Sequence, residues 1–240
     1  AWKGTAFGLA AIISFIFVLF ALLFDYTNQY VSFPNWLRDL FYDMDDGTKG
    51  IILFVAVLFA IFLGAYFYVK SLDKFEYAGV NWEKIDNSGM KLYHARFPIG
   101  TNGSVFYNLY LRNDPRKNNV SVSVNNYFFF NNVSIAIDDG AGSCYGAAIG
   151  NSILGQFLGA FNLNIDGAFA NETMAKQFNA SFANCSSAIN KTVILIQKSN
   201  ETSIIQDVNP NCYIVNVGNC ENTKTVEKLI VDIINSSQIK

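Results

Sequence analysis

Histidine is almost missing from this chain: His94 stands alone among 240 residues. A Ser–His–Asp or Cys–His mechanism would have to use that one imidazole, set in KLYHARF. No Cys/His spacing fits zinc. Cysteine is absent from the first 143 residues and then occurs four times, at Cys144, Cys185, Cys212 and Cys220. No basic run exceeds two residues, and the formal net charge is −2. That excludes nucleic acid as the main partner. Phosphate signatures are lacking too, with neither a P-loop lysine nor a complete GxGxxG.

Two stretches lack charge altogether. Gly50 to Lys70, GIILFVAVLFAIFLGAYFYVK, is apolar for about twenty residues, enough to cross roughly 30 Å of hydrocarbon as a helix. Thr5 to Phe24 is a second such run. It is longer than a usual signal h-region and is followed by FDYTNQY rather than a small-x-small site, so a span is expected, not a cleaved leader. Gly4 and Gly8 form a GxxxG pattern that lets helices approach closely; small residues at a helix start are the plainer reading. Between the runs, FPNWLRDLFYDM places Trp36, Leu37, Leu40, Phe41 and Met44 on one helical face. A short amphipathic helix over about 33–44 is expected, with Trp36, Phe41 and Tyr42 at the membrane interface. Asp43, Asp45 and Asp46 lack the twelfth-position Glu of a calcium loop. Residues 1–70 therefore read as a transmembrane helical hairpin, with spans of about 5–24 and 50–70.

The remaining chain is polar and large enough to bury a core without staples. Residues 71–132 read as β-rich and 133–240 as an α/β part. Val105 to Arg112 alternates, NDPRKN offers a turn at Pro115, and Val120, Val122 and Val124 alternate again. This spacing predicts a β-hairpin. The aromatic run Tyr127 to Phe130 reads as a core strand or a contact patch. Strands are expected at 133–139, 192–198, in SIIQDV and in CYIVNV. Helices are expected over Cys144–Phe161, Met174–Ile189 and Thr225–Ser236. Ala147, Ala148, Gly155 and Gly159 would let the first of these pack closely. The fold class is a membrane-anchored α+β protein: two N-terminal transmembrane helices, then an extracellular domain with a β-hairpin and an α/β layer.

Two signals place that domain outside. Sequons begin at Asn102, Asn119, Asn132, Asn171, Asn179, Asn184, Asn190, Asn200 and Asn235, all beyond residue 100. With 25 Asn after residue 70 and about one residue in eight being Ser or Thr, chance gives about three. The plainer reading is an Asn-rich composition. The even cysteine count reads as two disulfides in an oxidising compartment. If the strands before Cys144 and Cys220 are parallel, both residues sit at the carboxyl edge, whereas Cys185 and Cys212 precede their strands. Cys212 and Cys220 flank one strand, too far apart to bond. The expected pairs are Cys144–Cys220 and Cys185–Cys212. One signal disagrees: Lys70, Lys74 and Lys84 follow the second run, while the connecting loop has Arg38 and Lys49 with five aspartates. The positive-inside rule alone would put the domain in the cytoplasm.

One stretch carries chemistry worth weighing, Asp138-Asp139-Gly140-Ala141-Gly142-Ser143-Cys144, between an expected strand and helix. Its backbone amides could hold an anion, its aspartates a cation, or Cys144 could be an activated thiol. A structural loop closed by a disulfide is the plainer reading. No cofactor or metal is expected, and no enzyme activity.

The segments NLYLRNDPRKNNVSV (108–122), CSSAINKTVILIQKSNETSIIQ (185–206) and NCYIVNVGNC (211–220) resemble membrane-anchored cell-surface proteins of small-genome archaea. The likeness covers 97–240 and implies location and organism class only. Type IV pilins differ, since Thr5 stands where they usually carry Glu and a second span follows. The expected function is structural or assembly work in the envelope, with membrane lipids and either other envelope proteins or copies of itself as partners. The alternatives are an accessory subunit of a membrane complex or surface filament, or a receptor or envelope enzyme using the Asp138–Cys144 loop.

Overall fold

The structure is a computed structural model that describes residues 46–99 and 105–237, and the chain divides into two compact units, 1–74 and 75–240. The expected first span, the surface helix at 33–44 with Trp36, Phe41 and Tyr42, the Gly4–Gly8 pattern and Asn102 lie outside the described residues.

In the first unit, α1 (Asp46–Ser71) is 26 residues long, about 39 Å at 1.5 Å per residue. Its window Phe54–Ser71 has a mean hydropathy of 1.9. Phe54, Val57, Phe59, Phe62 and Phe67 are all exposed and spaced no more than about 80° apart round the axis, so the helix is apolar round its whole circumference. Among the described residues it is the one helix long and apolar enough to cross a membrane.

The second unit is α+β with two sheets. A four-stranded meander holds β1 (Lys74–Tyr77), β2 (Val80–Asn87), β3 (Met90–Ile99) and β4 (Val105–Leu111), in that order. Two-residue turns close its first hairpins, at Ala78-Gly79 and Ser88-Gly89. All four residues have positive φ, which matches the twist of the flanking strands. Asp86 Oδ1 accepts the Gly89 N–H at 2.8 Å. Trp82, Ala95, Phe97, Leu109 and Leu111 are buried on one face.

The larger sheet contains β5 (Ser121–Ser123), β6 (Asn132–Ile137), β7 (Asn164–Phe169), β8 (Ser181–Phe182), β9 (Thr192–Lys198), β10 (Ser203–Gln206) and β11 (Cys212–Val217). Their order is β5-β10-β11-β9-β6-β7-β8. Strands β11, β9, β6, β7 and β8 are parallel, and β10 runs antiparallel to β11. Four α-helices follow α1 among the described residues: the single turn α2 (Asp139–Gly142), α3 (Ala147–Gly159), α4 (Glu172–Gln177) and α5 (Asn222–Ser237).

Helices α3 and α5 share one core with both sheets. Phe157 of α3 meets the rings of Phe97 and Tyr107 from the meander. On α5, Val226, Leu229, Ile230, Val231, Ile233 and Ile234 are all buried. At 3.6 residues per turn these cover roughly 200° of arc, more than the single stripe of a helix packed on one side. The helices touch closely near their starts, where a Cβ on Gly150 would collide with the buried Asn222 side chain. The close approach is therefore at Gly150, not at the expected Gly155 or Gly159. The other face of the large sheet has a small core of Ala136, Ala168, Ala183, Ala188, Val193 and Cys212.

The expected hairpin of 105–112 with 120–124 does not form. Strand β4 pairs with β3, and β5 pairs with β10 in the other sheet. The reason lies in the connection, which is pinned to α5. Glu227 is 1% exposed. Its carboxylate accepts the Arg112 N–H, the Asn113 N–H at 3.0 Å and the Asn113 side-chain amide at 2.7 Å. Asn118 Nδ2 donates to the Lys224 carbonyl at 2.7 Å. Loop 112–119 thus crosses between sheets along α5 and never doubles back. The expected helix over 174–189 shortens to α4. Asn179 turns left-handed (φ 48°), and Ala180 N–H bonds to the Ala175 carbonyl, ending the helix.

The aromatic run does not form a strand. Tyr127 and Phe129 stack with Tyr213, while Phe128 faces solvent. The Tyr213 hydroxyl accepts the Phe128 N–H at 2.7 Å. Burial and the Asp232 carboxylate push the Tyr127 hydroxyl well above its usual range, so it donates to Asp232 at 2.9 Å.

Glu227→Ala would leave three donors without an acceptor, costing about 2–4 kcal/mol. The expected fall in Tm is roughly 5–15 °C, against little change for exposed Glu76→Ala. Burial raises the Glu227 pKa, and its three donors only partly offset this. A raised folded-state pKa contributes stability that is fully present below the unfolded value and is lost as pH rises through the folded one. The wild-type advantage over Glu227→Gln should therefore shrink from pH 5 to pH 8 in thermal melts.

Candidate functional site

In an open α/β sheet, ligands bind outside the carboxyl ends of the strands, where the chain order reverses. Here that point lies between β6 and β9: from β6 the chain runs to β7 and β8 on one side and returns to β9 and β11 on the other. Asp138 to Cys144 follows β6, so the stretch singled out in the sequence sits at the favoured place.

Its groups are engaged with one another. The Asp138 N–H donates to the Ile196 carbonyl at 2.9 Å. Asp138 Oδ1 accepts the Ala141 N–H, and Oδ2 accepts the Lys198 N–H at 3.1 Å. The Gly142 N–H donates to the Asp138 carbonyl. Asp139 Oδ2 accepts from Asn171 Nδ2 at 3.0 Å, and the Ser143 hydroxyl donates to the Gly140 carbonyl at 2.8 Å. Gly140 permits a close approach, since a Cβ there would lie 3.0 Å from the Lys198 Cβ. Cys144 pairs with Cys220, with Cα atoms 5.1 Å apart. These bonds stitch the loop after β6 to the loop after β7, to β9 and to the loop after β11. An anion would find the Ala141 and Gly142 amides occupied. A cation would find both Asp138 oxygens accepting hydrogen bonds. No thiol is free among the described residues.

The second pair, Cys185–Cys212, has Cα atoms 5.3 Å apart. Cys212 opens β11, at the amino edge of the parallel strands. Asp207 lies close to both sulfurs, yet sulfurs bonded to each other are not thiolate ligands. His94 is on the meander, stacked on Tyr110 with ring centroids 4.7 Å apart and hydrogen-bonded to Asn108 at 3.1 Å; it takes no part in the loop. A shallow cleft of about 290 Å³ at the amino ends of β6 and β7 is lined by Asn132, Ser134, Asn164, Asp166 and Lys191. It offers hydrogen-bonding and charged groups.

The sequon asparagines divide by local role. Asn119, Asn132, Asn171, Asn179, Asn190, Asn200 and Asn235 are exposed. Asn171 also caps α4 through Thr173 N–H. Asn179 and Asn190 occupy left-handed positions, which Asn tolerates better than most residues. Asn184 is half-buried, and its side chain accepts the Ser187 N–H in a capping box. Sequence reasoning missed Glu227. Its signal was a charge on an apolar stripe, with Ile230, Val231 and Ile234 three, four and seven residues on.

No family model, curated protein or solved structure matches the chain.

The pair Cys144–Cys220 closes 76 residues and Cys185–Cys212 closes 27. Chain-entropy reasoning gives about 4.5 and 3.5 kcal/mol respectively. Replacing the first pair with serine should lower stability more than replacing the second, as read from urea midpoints.

Proposed function

We propose that this is a membrane-anchored, N-glycosylated cell-surface protein with a structural or assembly role in the envelope and no catalytic activity. The observation that carries the reading is the carboxyl-edge loop. The place where this class of sheet binds ligands is closed by Asp138, Asn171 and the Cys144–Cys220 pair, all engaged in holding strands together. Paired cysteines suit an oxidising compartment, and α1 supplies the anchor. The unit from residue 75 onward is then the external head, as the resemblance to archaeal surface proteins also implies.

Protease treatment of intact cells or right-side-out vesicles tests this. The head should be removed while the fragment holding α1 stays with the membrane. Glycopeptide mapping should find glycans on exposed sites such as Asn119, Asn200 and Asn235. Asn184 should stay bare, because its side chain is tied into the Cys185 turn. A protected head with bare asparagines and alkylatable thiols would place it in the cytoplasm and return catalysis or binding there to the front.

A further inference from the structure

The two sheets have four edges, and three of them are blunted. Strand β1 has four residues with Lys74 and Glu76 in it, β5 has three residues and β8 two. Short or charged edges resist pairing with another chain. Strand β4 differs. Its seven residues, VFYNLYL, contain no charge and no proline, and among the described residues it pairs with β3 on one side only. Phe106 and Tyr110 are about half exposed, at 48% and 46%. Such an edge is a template for strand addition.

We propose that the partner is a second copy of this chain, its β4 added antiparallel across a two-fold axis at Asn108. The sequence of β4 is complementary to itself in that register. Asn108 is the middle residue of seven, so it meets its own copy, amide to amide. Phe106 then faces Tyr110 of the other copy on the outer face, and Tyr107 faces Leu109 on the inner one. Aromatic and apolar cross-strand pairs of this kind favour pairing, and no like charges oppose one another. A closed two-fold contact of one strand with itself gives a dimer, not an open fibre. Side chains of β4 are already ordered for it. The Arg96 guanidinium lies 4.4 Å from the Phe106 ring centroid. His94 stacks on Tyr110 and hydrogen-bonds to Asn108. Less side-chain freedom is then lost on association. The inference deepens the assembly reading by naming the partner, and rests on it to that extent.

The test uses the full chain in liposomes and in mild detergent. Asn108→Cys, oxidised with copper phenanthroline, should give a covalent dimer on non-reducing gels. Exposed Asn81→Cys, on β2, should give none. Asn108→Lys sets like charges opposite each other on the axis. It should weaken dimerisation at least tenfold by light scattering, with an unchanged circular dichroism spectrum. Equal cross-linking at both positions, or a dimer indifferent to Asn108→Lys, overturns the proposal. So does a monomeric wild type whose Asn108→Cys variant fails to cross-link. If that monomer still co-purifies with another envelope protein in fixed ratio, assembly stands and self-pairing falls. Protease protection and glycan mapping are unaffected by any of these results.

Discussion

A carboxylate buried to within 1% of its surface needs donors, and Glu227 takes three from a loop that would otherwise be free to fold back. The rest of the head follows from that tie. With residues 112 and 113 held against α5, the chain leaving β4 cannot turn beside it. It runs along the helix, is caught again where Asn118 meets the Lys224 carbonyl, and enters the second sheet. Helix α5 thereby sits in one core with both sheets, which is why its buried surface is so wide. The charge on an apolar helix is costly, and its cost is offset by two backbone N–H groups and one side-chain amide of that loop.

The same kind of tie governs the edge where this class of sheet binds ligands. Parallel strands leave loops at their carboxyl ends whose amides and side chains are available to ligands. In this head those loops are short, and each bonds to its neighbour: Asp138 to Lys198, Asp139 to Asn171, Cys144 to Cys220. Asn219 and Cys220 both hold left-handed backbone just before α5, a cost of order 1–2 kcal/mol each for a non-glycine residue. The arrangement favours rigidity at that edge over openness.

Period and polarity made much of this legible. The near-continuous apolar run of 192–198 is β9, and the spacing of Val226, Leu229, Ile230 and Ile233 marked α5 with small errors at its ends. Strand direction was enough to sort the cysteines by edge, because β6 and β11 are indeed parallel to the strand between them. What was not legible was pairing. VFYNLYL followed by a proline turn and a second alternating run has every local feature of a hairpin, yet the partner of β4 was decided by contacts more than a hundred residues away. The helix expected over 174–189 stopped short for a local reason, a left-handed Asn179 that the apolar spacing did not register. The meander's first turns were visible only as Ala-Gly and Ser-Gly, weaker signals than Asn-Gly.

Asparagine is where composition and structure have to be separated. Nine sequons against about three by chance looks like selection for glycans. Four of those asparagines have backbone work that needs no glycan: Asn171 and Asn184 cap helical turns, and Asn179 and Asn190 hold positive φ. The hydroxyl partner can be structural too, since Thr192 of the Asn190 sequon is buried and accepts the Phe130 N–H. Setting those four aside leaves Asn119, Asn132, Asn200 and Asn235 among the described residues, with Asn102 outside them, which narrows the excess to about two. The weight of the surface reading therefore shifts from the sequon count to the paired cysteines and the apolar helix. Exposed Asn119, Asn200 and Asn235 are the positions at which a glycan would carry independent meaning.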